Sequence, residues 1–193
     1  MESLNPVNGK IIKSYQEDTE ETIVTKITQA QAAWKLWRNT LFKEKAVFLL
    51  RAAEIIRERQ QSLAELMAME MGKPLKPGMD ELEKCAKVCE YYATNGEKFL
   101  KDEMIETEAR RSYVTYQPLG VVLAIMPWNF PFWQAFRFIA PGLMAGNCGL
   151  LKHASNVTGC ALAIEEILLE AGFPEHVFQT LIAGSKAIPK IIE

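Results

Sequence analysis

Apolar and polar positions change rhythm along this chain near Leu119. Before it, apolar residues recur mostly every three or four positions; after it, short unbroken apolar runs alternate with helical patterns. Thr19 stands ahead of Glu20 and Glu21 and of a stripe through Ile23, Ile27, Ala30, Ala33 and Trp34. A helix starting there has a capping hydroxyl and two carboxylates at its positive end. From Lys43 to Met71 the positions Val47, Leu50, Ala53, Ile56, Leu63, Leu66 and Met69 predict amphipathic helices, stopped by Gly72, Lys73 and Pro74. A further helix is predicted over Gly78 to Leu100. Ahead of them, LNPVNGKIIKSYQ (Leu4 to Gln16) joins Asn-Pro and Asn-Gly turn signals to a short alternating run, which predicts a hairpin.

Between Glu103 and Gln117 the stretch RRSYVTYQ alternates polar and apolar residues, as an exposed or oligomer-pairing strand does. The runs VVLAIM, CGLLKH and VFQTLIAG then alternate with helical patterns at Trp133 to Ala145 and Val157 to Ala171. This βαβαβ order predicts an α/β fold: a helical layer, then an incomplete doubly wound parallel sheet, a partial Rossmann-like unit. The corresponding divisions are 1–102 for the hairpin and helical part, 103–118 for the oligomerisation-type strand and 119–193 for the sheet part. No G-x-G-x-x-G follows the first of these strands, so the rhythm alone does not assign a dinucleotide site.

Composition narrows the partners. The chain is 49% hydrophobic and 24% charged, carries a formal charge of -2 and has no run of Lys or Arg, so neither nucleic acid nor an anionic membrane is the expected partner. The start MESLNPVNGK lacks the basic and apolar regions of a secretory signal, and cytoplasmic localisation is expected. Leu119 to Trp133, the most apolar region, is too short to span a bilayer and is broken by Pro127 and Pro131. Of the four cysteines only Cys85 and Cys89 stand one helical turn apart; with His153 and His176 far away in sequence, packing is expected there and no metal.

Three polar residues stand out in the second half. Asn129, in PWNFPFWQAFR, follows the apolar run VVLAIM and so falls at the carboxyl edge of the sheet, where α/β enzymes place their chemistry. Taken alone, an asparagine there could equally cap a turn. Lys152 closes the run LLK, as a solvated strand end also does. Arg137 interrupts a helix otherwise apolar through Trp133, Ala135, Phe136 and Phe138, where a surface or ion-paired arginine is the ordinary explanation.

The run QPLGVVLAIMPWNFPFWQAFRFIAPGLMAGNCGLLKHASN (Gln117 to Asn156) closely resembles the aldehyde dehydrogenase superfamily. The resemblance extends through EMGKP (Glu70 to Pro74), the Thr19 to Trp37 helix and AGFPEHVF (Ala171 to Phe178), and so covers essentially the whole chain. IMPWNFP and LLKHASNV are most similar to a bacterial branch acting on succinic semialdehyde. The resemblance implies NAD- or NADP-dependent oxidation of an aldehyde, through thiolate attack, hydride transfer and thioester hydrolysis. It gives Asn129 the catalytic role of donating its amide N–H to the oxyanion. Ile125, Met126, Pro127 and Trp128 would wrap the cofactor, and Lys152 would hydrogen-bond its adenosine ribose. Ser155 stands where many NAD-preferring relatives carry a glutamate, which lets a 2′-phosphate be tolerated. Arg137 would grip the distal carboxylate of the substrate in a tunnel walled by Phe130 and Trp133.

The family's nucleophilic cysteine and water-activating glutamate match nothing in the chain. It is therefore expected to be the N-terminal portion of a longer, homo-oligomeric enzyme, inactive alone, with an unpaired sheet edge and an uncovered apolar face that favour self-association. The competing expectation is a non-catalytic nucleotide-binding or scaffolding fragment that folds only with a partner chain.

Overall fold

The structure is a computed structural model and describes residues 1–192. Strands β1 (Glu2–Leu4) and β2 (Ile11–Ser14) form the expected antiparallel hairpin. Helix α1 (Glu20–Trp37) begins as its sequence predicts: Thr19 is extended, and its hydroxyl accepts from the backbone N–H of Thr22 at 3.2 Å. Helices α2 (Phe42–Glu58) and α3 (Gln60–Met71) follow, and α3 ends where Gly72 adopts a left-handed φ of 75°. Helix α4 (Leu75–Phe99) begins before Gly78, because Pro77 falls in the first turn, where a missing N–H breaks no helical bond.

On α2 the predicted positions Ala53 and Ile56 are buried, but the rest of the buried stripe differs from the predicted one. Val47 and Leu50 lie exposed, while Leu49, Ala52, Ala53, Ile55 and Ile56 are buried. Small alanines let α2 and α4 approach closely, and the outward face is marked by Arg51, which bonds Glu54 and Glu58 at 3.0 Å each. Met69 of α3 is likewise exposed, with Leu63, Ala64 and Met67 turned inward.

The segment read as one oligomer-type strand is an antiparallel hairpin of β3 (Glu103–Ile105) and β4 (Ser112–Val114), with Met104, Ile105, Tyr113 and Val114 exposed. Beyond it, β5 (Val121–Met126), β6 (Cys148–His153) and β7 (Phe178–Thr180) form a parallel sheet in the order β5-β6-β7. Strand β7 is shorter than VFQTLIAG suggests, although Leu181 N still bonds Leu151 O at 2.8 Å. Helices α5 (Pro131–Met144) and α6 (Thr158–Glu170) connect the strands, and a short α7 (Ile188–Ile192) follows β7.

Period-two alternation sends Leu151 into the main core, which joins α2, α3 and α4 to α5 and α6 through Leu49, Ile56, Leu82, Phe132, Phe136 and Ile164. Leu150 faces the other way and packs with Ala30 of α1 and Leu181. Helix α1, grouped by its sequence with the helical layer, thus covers the second face of the sheet. The expected uncovered apolar face is thus closed over β6, where every residue is buried, while Ile125 of β5 stays exposed. Strands β5 and β7 remain the outer strands of this sheet among the described residues.

Candidate functional site

Strands β5 and β6 run in register so that Ile125 lies beside Lys152 and Met126 beside His153. Ile125 and Lys152 therefore share the sheet face covered by α1, and His153 shares the opposite face with Leu151. Lys152 is only 9% exposed, yet it makes no hydrogen bond or ion pair among the described residues. Ser155 opens a single 3-10 turn (Ser155–Val157) just beyond the strand and is exposed; its carbonyl accepts from Thr158 Oγ1 at 2.9 Å, and no bond is made by its hydroxyl among the described residues. A largely buried lysine whose ammonium has no protein partner among the described residues, with an unbonded hydroxyl three residues on, fits a ligand rich in hydroxyl acceptors, such as the ribose of a dinucleotide. No carboxylate pairs with Lys152 among the described residues, so nothing fixed there opposes a phosphate.

Pro127, Trp128, Asn129 and Phe130 form the exposed bend between β5 and α5. Asn129 is not a capping residue: the N-cap of α5 is Phe130, without a side-chain cap, and the Asn129 amide makes no hydrogen bond among the described residues. Its main chain, by contrast, is tied down. Lys73 Nζ donates to Asn129 O at 3.2 Å and lies 3.9 Å from the centre of the Phe130 ring. The same ammonium pairs with Glu81, whose side chain is 2% exposed. Glu81 Oε1 in turn accepts from the backbone N–H of Phe132 at 3.0 Å and of Trp133 at 2.9 Å, filling the positive end of α5.

His153 holds the bend from the sheet side. Its Nδ1 accepts from Ala154 N at 2.9 Å, which leaves the proton on Nε2 to be donated to Pro131 O at 2.9 Å. Burial pushes the His153 pKa below its ordinary value, and the neighbouring Lys152 charge acts in the same direction, while the bond to Pro131 opposes them.

A second buried carboxylate fills the amino end of α6. Glu70, 2% exposed, accepts from Ser3 Oγ at 2.8 Å and Gly159 N at 2.9 Å on Oε1, and from Cys160 N at 2.9 Å on Oε2. Burial, and then the charge of Glu70, raise the Tyr15 hydroxyl beside it to about 12. The crossover helices α5 and α6 therefore hold protein carboxylates at the ends where a Rossmann helix would offer N–H groups to a phosphate. The residues present fit the ribose end of a dinucleotide and leave no phosphate seat on these two helices. This agrees with the missing glycine fingerprint.

The predicted substrate residues are brought together only in part. Phe130 and Trp133 line one cleft of about 270 Å³ with Pro77, Asp80, Glu81 and Lys84, and Lys84 Nζ lies 3.9 Å from the centre of the Trp133 ring. Arg137 is not among its lining residues; it is exposed on the same helix, one turn beyond Trp133, and makes no ion pair among the described residues. Lys73, Glu81, Glu70 and His153 are the site residues to which the sequence reading gave no role. The signal was present: Glu81 shares a helical stripe with Gly78, Cys85 and Cys89, and Glu70 shares one with Leu63 and Met67. A carboxylate on a buried stripe must be paired or hydrogen-bonded.

All four cysteines are free and buried. Burial raises the thiol pKa of each, that of Cys148 to about 12, so none is poised as a thiolate. Among the described residues no group of three or more His, Cys, Asp or Glu side chains could hold a metal ion, and no helix is long and apolar enough to cross a membrane.

The "Probable succinate-semialdehyde dehydrogenase" (NADP+) of Synechocystis sp. is 47% identical over 190 residues, covering 98% of this chain and 42% of that protein. The succinate-semialdehyde dehydrogenase (NADP+) of Mycobacterium leprae is 43% identical over 193 residues, with the same coverage. The chain thus spans less than half the length of these relatives. Among solved structures, succinic semialdehyde dehydrogenase from Streptococcus pyogenes in complex with NADP+ superposes with a TM-score of 0.95 at 30% identity, over 99% of this chain and 42% of that one. Betaine aldehyde dehydrogenase from Staphylococcus aureus in complex with NAD+ superposes almost as well, with a TM-score of 0.93 at 26% identity, over 100% and 39%. One backbone therefore serves enzymes of different substrate and cofactor. The profile of the aldehyde dehydrogenase family matches residues 1–193, and the chain belongs to that family.

Proposed function

We propose that the protein carrying this chain oxidises succinic semialdehyde to succinate with NADP+ or NAD+. The observation that carries this reading is the uncommitted Asn129 amide, set at the carboxyl end of β5 on a main chain anchored from both sides. A neutral donor held in place before reaction meets the negative charge that develops on a carbonyl oxygen when a thiolate adds to it. Such a donor lowers the barrier by roughly 3 to 4 kcal/mol. The bound nicotinamide supplies the hydride acceptor. Lys152 and Ser155 hold its adenosine ribose, with Ile125, Met126, Pro127 and Trp128 flanking it. The buried, protonated cysteines of this segment do not act as the nucleophile; that group and the water-activating base come from other segments, so this segment alone is inactive. The exposed apolar residues of the β3–β4 hairpin are the surface through which copies associate.

Arg137, cationic and unpaired among the described residues, binds the distal carboxylate of the substrate. Formation of NADPH with succinic semialdehyde tests the reading directly. Arg137→Ala is expected to lower kcat/KM for succinic semialdehyde by about 100-fold, the value of one charge-assisted bidentate contact of roughly 3 kcal/mol. Butanal, of the same chain length without the carboxylate, should lose no more than about threefold on that scale. Equal losses on both substrates would remove the carboxylate clamp, and no turnover of any aldehyde by the wild type would remove the activity itself.

A further inference from the structure

Lys73 and Glu81 do more than stabilise a helix junction. Their ion pair is buried, with side-chain exposures of 9% and 2%, and a buried pair is weak evidence for stability because desolvation offsets its attraction. Among the described residues, every remaining hydrogen bond and ring contact of the two groups goes to one short piece of chain. Lys73 reaches the carbonyl of Asn129 and the ring of Phe130, and Glu81 reaches the N–H groups of Phe132 and Trp133. The pair thus grips the bend on both sides of Pro131, whose own carbonyl is held by His153. Apart from the pair and His153, backbone bonds among the described residues hold only the ends of the bend, Ala154 N to Met126 O and Gln134 N to Phe130 O at 3.0 Å each, while Trp128, Asn129 and Phe130 are themselves exposed.

We propose that Lys73 and Glu81 form a positioning pair: Lys73, clamped by Glu81, fixes the main chain of Asn129 and so aims its amide at the reacting oxygen. The proposal rests on the aldehyde-oxidising role given to Asn129 above. The hydrogen bonds of the pair go to protein groups, and it acts through the peptide of Asn129. A displacement of about 1 Å at such a donor lowers turnover by on the order of 100-fold while leaving ground-state binding of the cofactor in place.

The test uses the double variant Lys73→Met/Glu81→Gln in the active protein. It removes both charges together, so that neither is left buried alone, and it keeps a side-chain oxygen for the N–H groups of Phe132 and Trp133. Expected are a fall in kcat of roughly 100-fold, an unchanged KM for NADP+ and faster amide hydrogen exchange confined to the peptide containing Asn129. Lys73→Arg is the fold-safe companion. It keeps a cation beside Glu81, but replaces the ammonium that donates to Asn129 O with a planar fork that pairs with the carboxylate, so kcat falls by about tenfold with the same local exchange signature. Unchanged kcat or unchanged exchange at Asn129 in these variants overturns the proposal, as does exchange that rises equally throughout the chain. If the wild type oxidises no aldehyde, the functional reading fails, and the exchange measurement alone still decides whether the pair holds the bend.

Discussion

Oε1 of Glu70 occupies the space that a side chain on Gly159 would need: a Cβ there would lie 2.7 Å from that oxygen and 2.9 Å from the Tyr15 hydroxyl. Glycine at the start of α6 is thus what lets a buried carboxylate reach two backbone N–H groups. The oxygen cannot move aside without releasing Ser3 and Gly159 N, both within 2.9 Å. Gly159→Ala gains up to about 1 kcal/mol of helix propensity. Against this, displaced hydrogen bonds to a charged group are worth about 1.5 to 3 kcal/mol each. With both bonds lost the balance is a net destabilisation of about 2 to 5 kcal/mol, measured as a lower urea midpoint at constant m-value. A variant as stable as the wild type would show that Glu70 relaxes without loss.

The stripe positions explain how much of this could be read in advance. Thr19, the Gly72 stop and the runs VVLAIM and CGLLKH each carry a local signal, and each element forms where that signal places it. On α2 the signal is degenerate. Two overlapping apolar stripes meet at Ala53 and Ile56; the buried one adds Leu49, Ala52 and Ile55, and the large Val47 and Leu50 fall outside it. The choice between stripes is made by α4, a partner distant in sequence. The anchors of the Asn129 bend are hidden for the same reason: Lys73 and Glu81 lie in the α3–α4 junction, and only the packed fold brings them to residues 129–133. Asn129 and Lys152, neither with a side-chain hydrogen bond among the described residues, are local features of two strand ends, and those the sequence does mark.

Acid should loosen the bend from the His153 side. Burial, chiefly, holds the pKa of His153 below its ordinary 6.5, so the folded state favours the neutral ring. Its contribution to stability is therefore complete above about pH 6.5 and is lost as pH falls through that value toward the folded pKa. Protonation places an Nδ1–H against the N–H of Ala154, which now donates to that nitrogen. Glu83 and Glu90 are held below their ordinary 4.5 by hydrogen bonds from Arg57, so their losses come at lower pH and do not overlap. Unfolding free energies at pH 7.5 and pH 5.0 should differ for the wild type and differ less for His153→Gln. Equal slopes in the two proteins would assign the acid sensitivity to another group.

Cofactor choice should respond to one added charge at residue 155. Ser155 is exposed, directly beyond the strand that ends with Lys152 and His153, and no carboxylate there is paired with Lys152 among the described residues. Ser155→Glu has two effects that act together. Its carboxylate repels a 2′-phosphate, and it offers the Lys152 ammonium an internal partner, withdrawing the donor from a bound ribose phosphate. The KM for NADP+ is expected to rise by roughly 10- to 100-fold, one to two multiples of 1.4 kcal/mol. NAD+ should be held as well as before, because the new carboxylate can accept from its free ribose hydroxyls. Ser155→Gln separates charge from bulk: it adds the same volume without the negative charge and should leave the ratio of the two KM values within about threefold of the wild type. If Gln shifts that ratio as far as Glu does, size and not charge sets the preference, and the electrostatic account of residue 155 fails.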